Sequence, residues 1–413
     1  MDEKADILLV KRLNEIRLLN LIREQGPISR NELARKSDIS KVAVSDIINR
    51  LIKSGYVLEI GKGQSTSRGG KRPIMLKLNP VNGYVVGIEI KRRHTTVALA
   101  DIESTIVDMA QVEYDIGIQF EACIPRIIAV IEALLQNNQI DARKLVSIGI
   151  GIPGFVDYIA GQLMFADTLQ GWAHKPLAGQ FAENFHTPVI VENDVNAITL
   201  GENLIGAGKG WSNLICIWIG EGIGAGIIMD GQLIRGATGN AGEIGYTELG
   251  FLIQQKSRIK NLFHGEQYFG EILSEANLFG CCNASAASSP DGTGELTLEA
   301  LLAKAESGDA GIREILEEYG YLVAVLCMNL IKTVNPGLII LSGRVMEHSN
   351  FLLETIRASV QKSMVNIPFQ PSSLVRGKLK KEAGVQGAIA LALQTIFEPP
   401  VKQSKNHLRH TTA

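Results

Sequence analysis

The sequence predicts an α/β protein in two unequal parts: a small helical segment closed by a β-hairpin, then a large α/β domain that uses one strand-and-helix pattern twice. Three observations predict it. Residues 1–80 carry 16 Lys and Arg against 9 Asp and Glu, and the remainder carries 25 against 34, so a basic segment of net charge +7 precedes an acidic one of −9. Helix-capping residues recur at short intervals in the basic segment and give way to short apolar strands at its end. Beyond residue 83 a run of strand, hairpin and strand begins at residue 84 and again at residue 214.

At 413 residues the chain exceeds what one compact core supports, and its 46% hydrophobic, 20% charged composition is that of a globular protein. No uninterrupted apolar run reaches the roughly 18 residues of a membrane-spanning helix. The first 25 residues are studded with charges, unlike a secretory leader, so a cytoplasmic location without membrane contact is expected. Five cysteines, including adjacent Cys281 and Cys282, form neither a CxxC pair nor an even framework, and buried thiols in a reducing compartment are expected.

In the basic segment, Leu9, Leu13, Ile16 and Leu19 recur at helical spacing until Gly26-Pro27 stops the first helix. Ser29 and Glu32 have the spacing of a capping box, which opens a short second helix to about Lys36. After a tight turn through Asp38, Ser40 caps a third helix that ends near Gly55. Val44, Ile47, Ile48 and Leu51 line one face of it, while Ser40, Lys41, Ser45, Asn49 and Arg50 look outward. Two short helices across a tight turn match a helix-turn-helix. A small helical dimerisation bundle is the plainer alternative. Tyr56–Ile60 and Ile74–Leu78 then read as paired strands around a loop, Gly61 to Pro73, that makes a wing. Arg68, Lys71 and Arg72 put cations on that loop, suited to phosphates or to a narrow minor groove. Double-stranded DNA is therefore the expected partner of residues 1–80.

The turn-rich stretch from Asn79 to Gly83 marks the boundary to a domain spanning 81–398. Strands are expected at Tyr84–Ile90, Thr95–Asp101 and Thr105–Tyr114, with a helix over Phe120–Gln136. The matching second run is Leu214–Gly220, Gly224–Met229 and Gln232–Arg235, which implies two lobes around a ligand cleft. Leu145–Ile152 reads as a buried strand leading to the turn Pro153-Gly154. Another strand, Pro188–Val191, leads into Glu192-Asn193-Asp194-Val195-Asn196-Ala197 and sets polar groups at a strand's carboxyl end, where open α/β sheets bind ligands. Gly242-Glu243-Ile244-Gly245-Tyr246 is a second glycine-spaced polar turn. Residues 399–413 form a polar tail expected to be disordered.

Taken in order, these stretches resemble the ROK family of bacterial repressors, open reading frames and sugar kinases. The likeness runs from the winged helix-turn-helix through residues 84 to 395 and is most specific at Glu192–Ala197 and Gly220–Tyr246. It implies a duplicated actin-like ATPase fold, ROK sugar-kinase-like, behind a DNA-binding domain, as in the xylose repressors and other sugar-responsive repressors. The resemblance also implies that Asn193, Asp194, Glu243 and the backbone turn at Gly154 contact a sugar. Carboxylates and amides suit a polyol, although Asn193 and Asp194 have a simpler reading as helix caps. Tyr246 stands where the family has histidine in its Glu-x-Gly-His motif, so the phenol becomes the candidate contact. Residues 250–275 lack the cysteines of the family's zinc motif, so no structural metal is expected, and neither Glu266 nor Glu271 aligns with the glutamate that ends that motif.

The phosphate loops depart further from the kinases. The family's kinases carry an aspartate and Gly-Gly-Thr where this chain has Glu89-Ile90-Lys91-Arg92-Arg93-His94, and bulky residues there obstruct the backbone approach that glycine permits. The second loop, Gly220 to Gly226, keeps its glycines but has Glu221 in place of threonine, a negative charge facing the expected phosphates. A cationic phosphate cluster of Lys91, Arg92 and Arg93 is a weaker alternative. The expectation is a sugar-responsive regulator, a repressor of carbohydrate-utilisation genes, with no catalytic residue and no cofactor. It would act as a homodimer or higher homo-oligomer on an inverted-repeat operator. The competing readings are an ATP-dependent sugar kinase with an accessory DNA-binding domain, and a regulator whose sugar pocket has decayed.

Overall fold

The computed structural model describes residues 3–63, 72–247, 262, 268–287, 297–363 and 368–399, with side chains from residue 9 onward. The first unit runs α1 (Glu3–Gln25), β1 (Ile28–Ser29), α2 (Arg30–Ser37), α3 (Lys41–Lys53), β2 (Val57–Lys62) and β3 (Ile74–Leu78), with the strands in the order β1-β3-β2. Its local signals act as read. Ser29 and Glu32 form a reciprocal capping box, Asp38 ends α2 in the left-handed region, and the Ser40 hydroxyl accepts from the Ala43 N–H at 3.2 Å. Helix α1 differs from expectation. It starts at Glu3 rather than Leu9, and its core face begins only at Ile16; Val10 and Leu13 stay exposed. Leu18, Leu19 and Ile22 are all buried, on more than one stripe, because α1 is packed between the wing strands and a helix from the far end of the chain.

The large domain holds two five-stranded sheets of the same topology. In the first, β4 (Tyr84–Ile90), β5 (His94–Asp101) and β6 (Ile106–Glu113) form an antiparallel meander, and β7 (Leu145–Ile152) and β10 (Val189–Asn193) add in parallel, giving β10-β7-β4-β5-β6. Between these last two strands lie a ribbon, β8 (Phe155–Asp157) with β9 (Gln162–Phe165), and α5 (Leu177–Phe185). The second sheet repeats the scheme: β11 (Leu214–Ile219), β12 (Ile223–Met229) and β13 (Gln232–Leu233) form the meander, and β14 (Leu338–Ser342) and β15 (Leu374–Arg376) add in parallel. The duplication read from the strand pattern is therefore present strand for strand. Every residue of β4 and of β14 is buried, as a strand covered on both faces requires.

Helices cover the sheets. The first core contains α4 (Phe120–Asn137) and the second is built over α7 (Phe269–Ile272), α8 (Glu275–Ala287), α9 (Leu298–Glu306), α10 (Ala310–Val334), α11 (Arg344–His348) and α12 (Asn350–Ser363). Two helices pack between the lobes: α6 (Asp194–Leu204), directly after β10, and α13 (Ala383–Phe397), the last element of the chain. They meet backbone to backbone. A Cβ on Gly387 would stand 2.5 Å from the Ala197 carbonyl, so only glycine lets α13 lie this close to α6. The other face of α13 carries Val385, Ile389, Leu393, Ile396 and Phe397 into one apolar cluster with β4, β5 and the winged unit.

Candidate functional site

The cleft between the lobes is built where β10 stops and α6 starts. Asn193 is the N-cap of α6: its Oδ1 accepts from the N–H groups of Val195 at 2.9 Å and Asn196 at 3.1 Å, while its Nδ2 donates to the Gly154 carbonyl at 3.1 Å. Asn193 thus caps α6 and at the same time lines the cleft. Gly154 has φ +103, and a Cβ there would meet the Phe165 carbonyl oxygen at 2.2 Å, so the turn demands glycine. Asp194 accepts from the Val195 N–H at 2.9 Å. Burial pushes its carboxyl up to about 6, with the Glu89 charge adding and Lys91 opposing. Glu243 is likewise raised, by burial and then by Asp194, so the two carboxylates sense one another. Gly154, Asn193, Asp194, Glu243 and Tyr246 line the same cleft.

Sequence reasoning missed the clamp behind this group. Glu192, buried at 1% exposure, accepts from Arg235 Nε at 2.6 Å, from the Asn196 amide at 3.1 Å and from the Asn193 N–H at 3.0 Å. The Arg235 guanidinium also lies over the Tyr158 ring at 4.8 Å. Because Arg235 follows β13, the pair ties the second sheet to the residue that precedes Asn193. A carboxylate and a guanidinium this buried hold a fixed geometry, and removing one leaves the other uncompensated.

The opposite half of the cleft carries both signs of charge, with Lys91, Arg92, Arg344, Lys380 and Lys381 beside Glu89, Glu221, Glu275 and Glu299. Lys91 folds back onto Glu89, Nζ to Oε1 at 2.7 Å, and its carbonyl accepts from the Tyr114 hydroxyl at 2.7 Å. Beside the second loop, the Glu275 N–H donates to the Gly220 carbonyl, and Arg344 bridges Glu275 at 2.7 Å and Glu299 at 2.5 Å. Burial, Glu299 and Glu221 push the Glu275 carboxyl up, with Arg344 opposing. Two carboxylates therefore converge on one guanidinium beside the second loop, with Glu221 near enough to act on one of them. All five cysteines are buried. Among the described residues no group of three or more His, Cys, Asp or Glu is placed to hold a metal ion, and no helix is long and apolar enough to cross a membrane.

On the winged unit, Ser40, Lys41, Asn49 and Arg50 are exposed on α3 and Ser45 is half-buried. Asn49 accepts from Arg30 at 2.9 Å, and Arg30 also pairs with Glu59 at 3.1 Å, which the sequence did not suggest. Val42, 73% exposed in the first turn of α3, was also missed; an exposed aliphatic group there suits contact with a thymine methyl. Arg72 is exposed beside β3, whereas Arg68 and Lys71 lie outside the described residues.

The ROK family model matches residues 85–395, and a winged helix-turn-helix DNA-binding model matches residues 12–57. The chain belongs to the ROK family. This ROK protein is 28% identical to the xylose repressor of Caldicellulosiruptor bescii over 95% of its own length and 98% of that protein's. Among solved structures it resembles a ROK family transcriptional regulator, a homologue of the Escherichia coli MLC protein, at 24% identity and TM-score 0.77, covering 94% of this chain and 97% of that one; this likeness shows the shared fold. It also resembles a ROK family glucokinase from Streptomyces griseus, in complex with glucose and AMPPNP, at 25% identity and TM-score 0.61, covering 76% of this chain and all of the other. Repressors and kinases are thus both among its relatives.

Proposed function

We propose that this ROK protein is a sugar-responsive, DNA-binding transcriptional repressor whose kinase-like domain binds a sugar without phosphorylating it. One contrast carries the reading. The sugar half of the cleft keeps Gly154, Asn193, Asp194 and Glu243 together, while the other half presents Glu221 beside Glu275 and Glu299, which pair with Arg344. Phosphoryl transfer requires positioned donors and Mg²⁺ at the transferred group, and like charges at that place oppose both nucleotide binding and catalysis. The same charges favour a regulator over the sugar kinase. In this reading Asp194 accepts hydrogen bonds from sugar hydroxyls and moves no proton.

The winged unit would meet operator DNA through Lys41, Asn49 and Arg50 on α3, with Ser40 and Ser45 beside them, and through Arg68, Lys71 and Arg72 of the wing. Two-fold pairing of such units suits an inverted repeat, with a homodimer as the smallest assembly. The test combines operator selection from random duplexes with binding of the selected duplex in the presence of xylose, glucose, N-acetylglucosamine or ATP with Mg²⁺. One sugar should change the operator Kd at least tenfold, Asp194→Asn should abolish that change, and no ADP should form. Sugar-dependent ADP release, lost in Asp194→Asn, would instead make the protein a kinase.

A further inference from the structure

Next to the polar group at Gly154, Asn193, Asp194 and Glu243, the cleft carries a row of aromatic rings. Phe165 on β9 stands 6.0 Å from Phe155 on β8, Phe155 stands 6.0 Å from Tyr246, and Tyr246 stands 6.1 Å from Tyr268, all between ring centroids. All four line the cleft. Three of them present much of their surface to it: Phe165 is 48% exposed, Tyr246 54% and Tyr268 39%. Exposed aromatic groups contiguous with a polar pocket mark a ligand groove rather than a core. The charge around them selects the ligand. Burial, then Glu243 and Asp167, raises the Tyr246 phenol, so carboxylates flank the row. They repel phosphodiesters and other anions but accept hydrogen bonds from hydroxyl groups. A neutral molecule with apolar ring faces and hydroxyl edges is a saccharide. One pyranose covers about one ring, whereas this row offers four successive rings in the cleft that Asp194 also lines.

We infer that the aromatic row Phe165–Phe155–Tyr246–Tyr268 is a second saccharide subsite, so that the effector is an oligosaccharide of two or more units rather than a monosaccharide. This rests on the sugar-binding reading above and extends it along the same cleft. Tyr246 then belongs to the row while standing beside Glu243 of the polar subsite.

The test is calorimetric titration of the full chain with xylose against xylobiose and xylotriose, and glucose against cellobiose and maltose. At least one disaccharide should bind tenfold or more tightly than its monosaccharide. In Phe165→Ala and in Tyr268→Ala that ratio should fall toward one, while operator binding without sugar stays as in the wild type, which shows the variants fold. Equal affinity for monosaccharide and disaccharide, or a ratio unchanged in both variants, overturns the second subsite and leaves the sugar reading standing. Silence to every saccharide, in protein that still binds its operator, overturns both.

Discussion

At Asp194, in the proposed sugar site, burial of the carboxyl carries a penalty in stability. A carboxyl whose folded value is raised to about 6 holds its proton more tightly folded than unfolded, where it titrates near 4. Its penalty is absent at low pH, grows as pH rises through roughly 4 to 6, and is complete at neutral pH. Removing the charge should therefore stabilise the sugar-free protein. Asp194→Asn is expected to raise stability at pH 7 by about 1–2 kcal/mol, discounted from the roughly 1.4 kcal/mol per pKa unit because the group is partly solvated. The gain should disappear near pH 4. Thermal unfolding of both proteins from pH 4 to 8 checks this, and a variant that melts lower than the wild type at pH 7 would mean that Asp194 is a structural cap only. Sugar affinity of the wild type should weaken from pH 7 to pH 5, as the acceptor becomes protonated.

At the scale of elements, the packing of α6 on α13 depends on missing side chains. Gly387→Ala would drive a Cβ against the Ala197 carbonyl at 2.5 Å, where only backbone movement gives relief, and should cost about 1–3 kcal/mol. Gly280, within α8, has nothing within 4 Å of its would-be Cβ. Gly280→Ala should stabilise by roughly 0.5–1 kcal/mol, since alanine restricts the unfolded chain and favours helix. Chemical denaturation of the two variants separates contact from propensity, and similar effects on both would refute the close packing. The same elements show what the sequence can and cannot tell. The capping box at Ser29 and Glu32 and the Ser40 cap are legible because their partners lie within a few residues, and the wing strands because one loop joins them. The repeated sheet is legible because strand alternation survives duplication. By contrast, Glu192 finds Arg235 43 positions away, and Arg344 finds Glu275 69 positions away. Glu202 accepts from the N–H groups of Lys378 and Leu379, some 176 positions on. No local pattern announces such pairs, so the interlobe clamp and the position of α13 appear only once the chain is folded.

Across the whole molecule, the proposed sugar response must travel from the start of α6 to the winged unit, and α13 is one of the elements that touch both. Near its start, Gly384 lies against buried Glu89 at the cleft, and Glu202 of α6 holds the backbone just before it. Along its length Ser147 donates to the Ala392 carbonyl at 2.8 Å. At its end Asn20 of α1 donates to the Phe397 carbonyl at 2.8 Å, and the Arg23 guanidinium covers the Phe397 ring at 4.1 Å. Coupling between sites is a free energy that needs an element whose position both sites bias. Asn20 and Arg23 belong to neither binding surface, so the double variant Asn20→Ala, Arg23→Ala should leave the operator Kd without sugar and the sugar Kd without DNA each within about twofold of wild type. It should reduce the factor by which sugar changes the operator Kd at least fivefold, a coupling loss of about 1 kcal/mol. The four Kd values of that cycle, measured for both proteins, decide the matter. Equal coupling in both would mean that α13 holds the winged unit in place without carrying the signal, and that the response reaches DNA through the assembly of subunits instead.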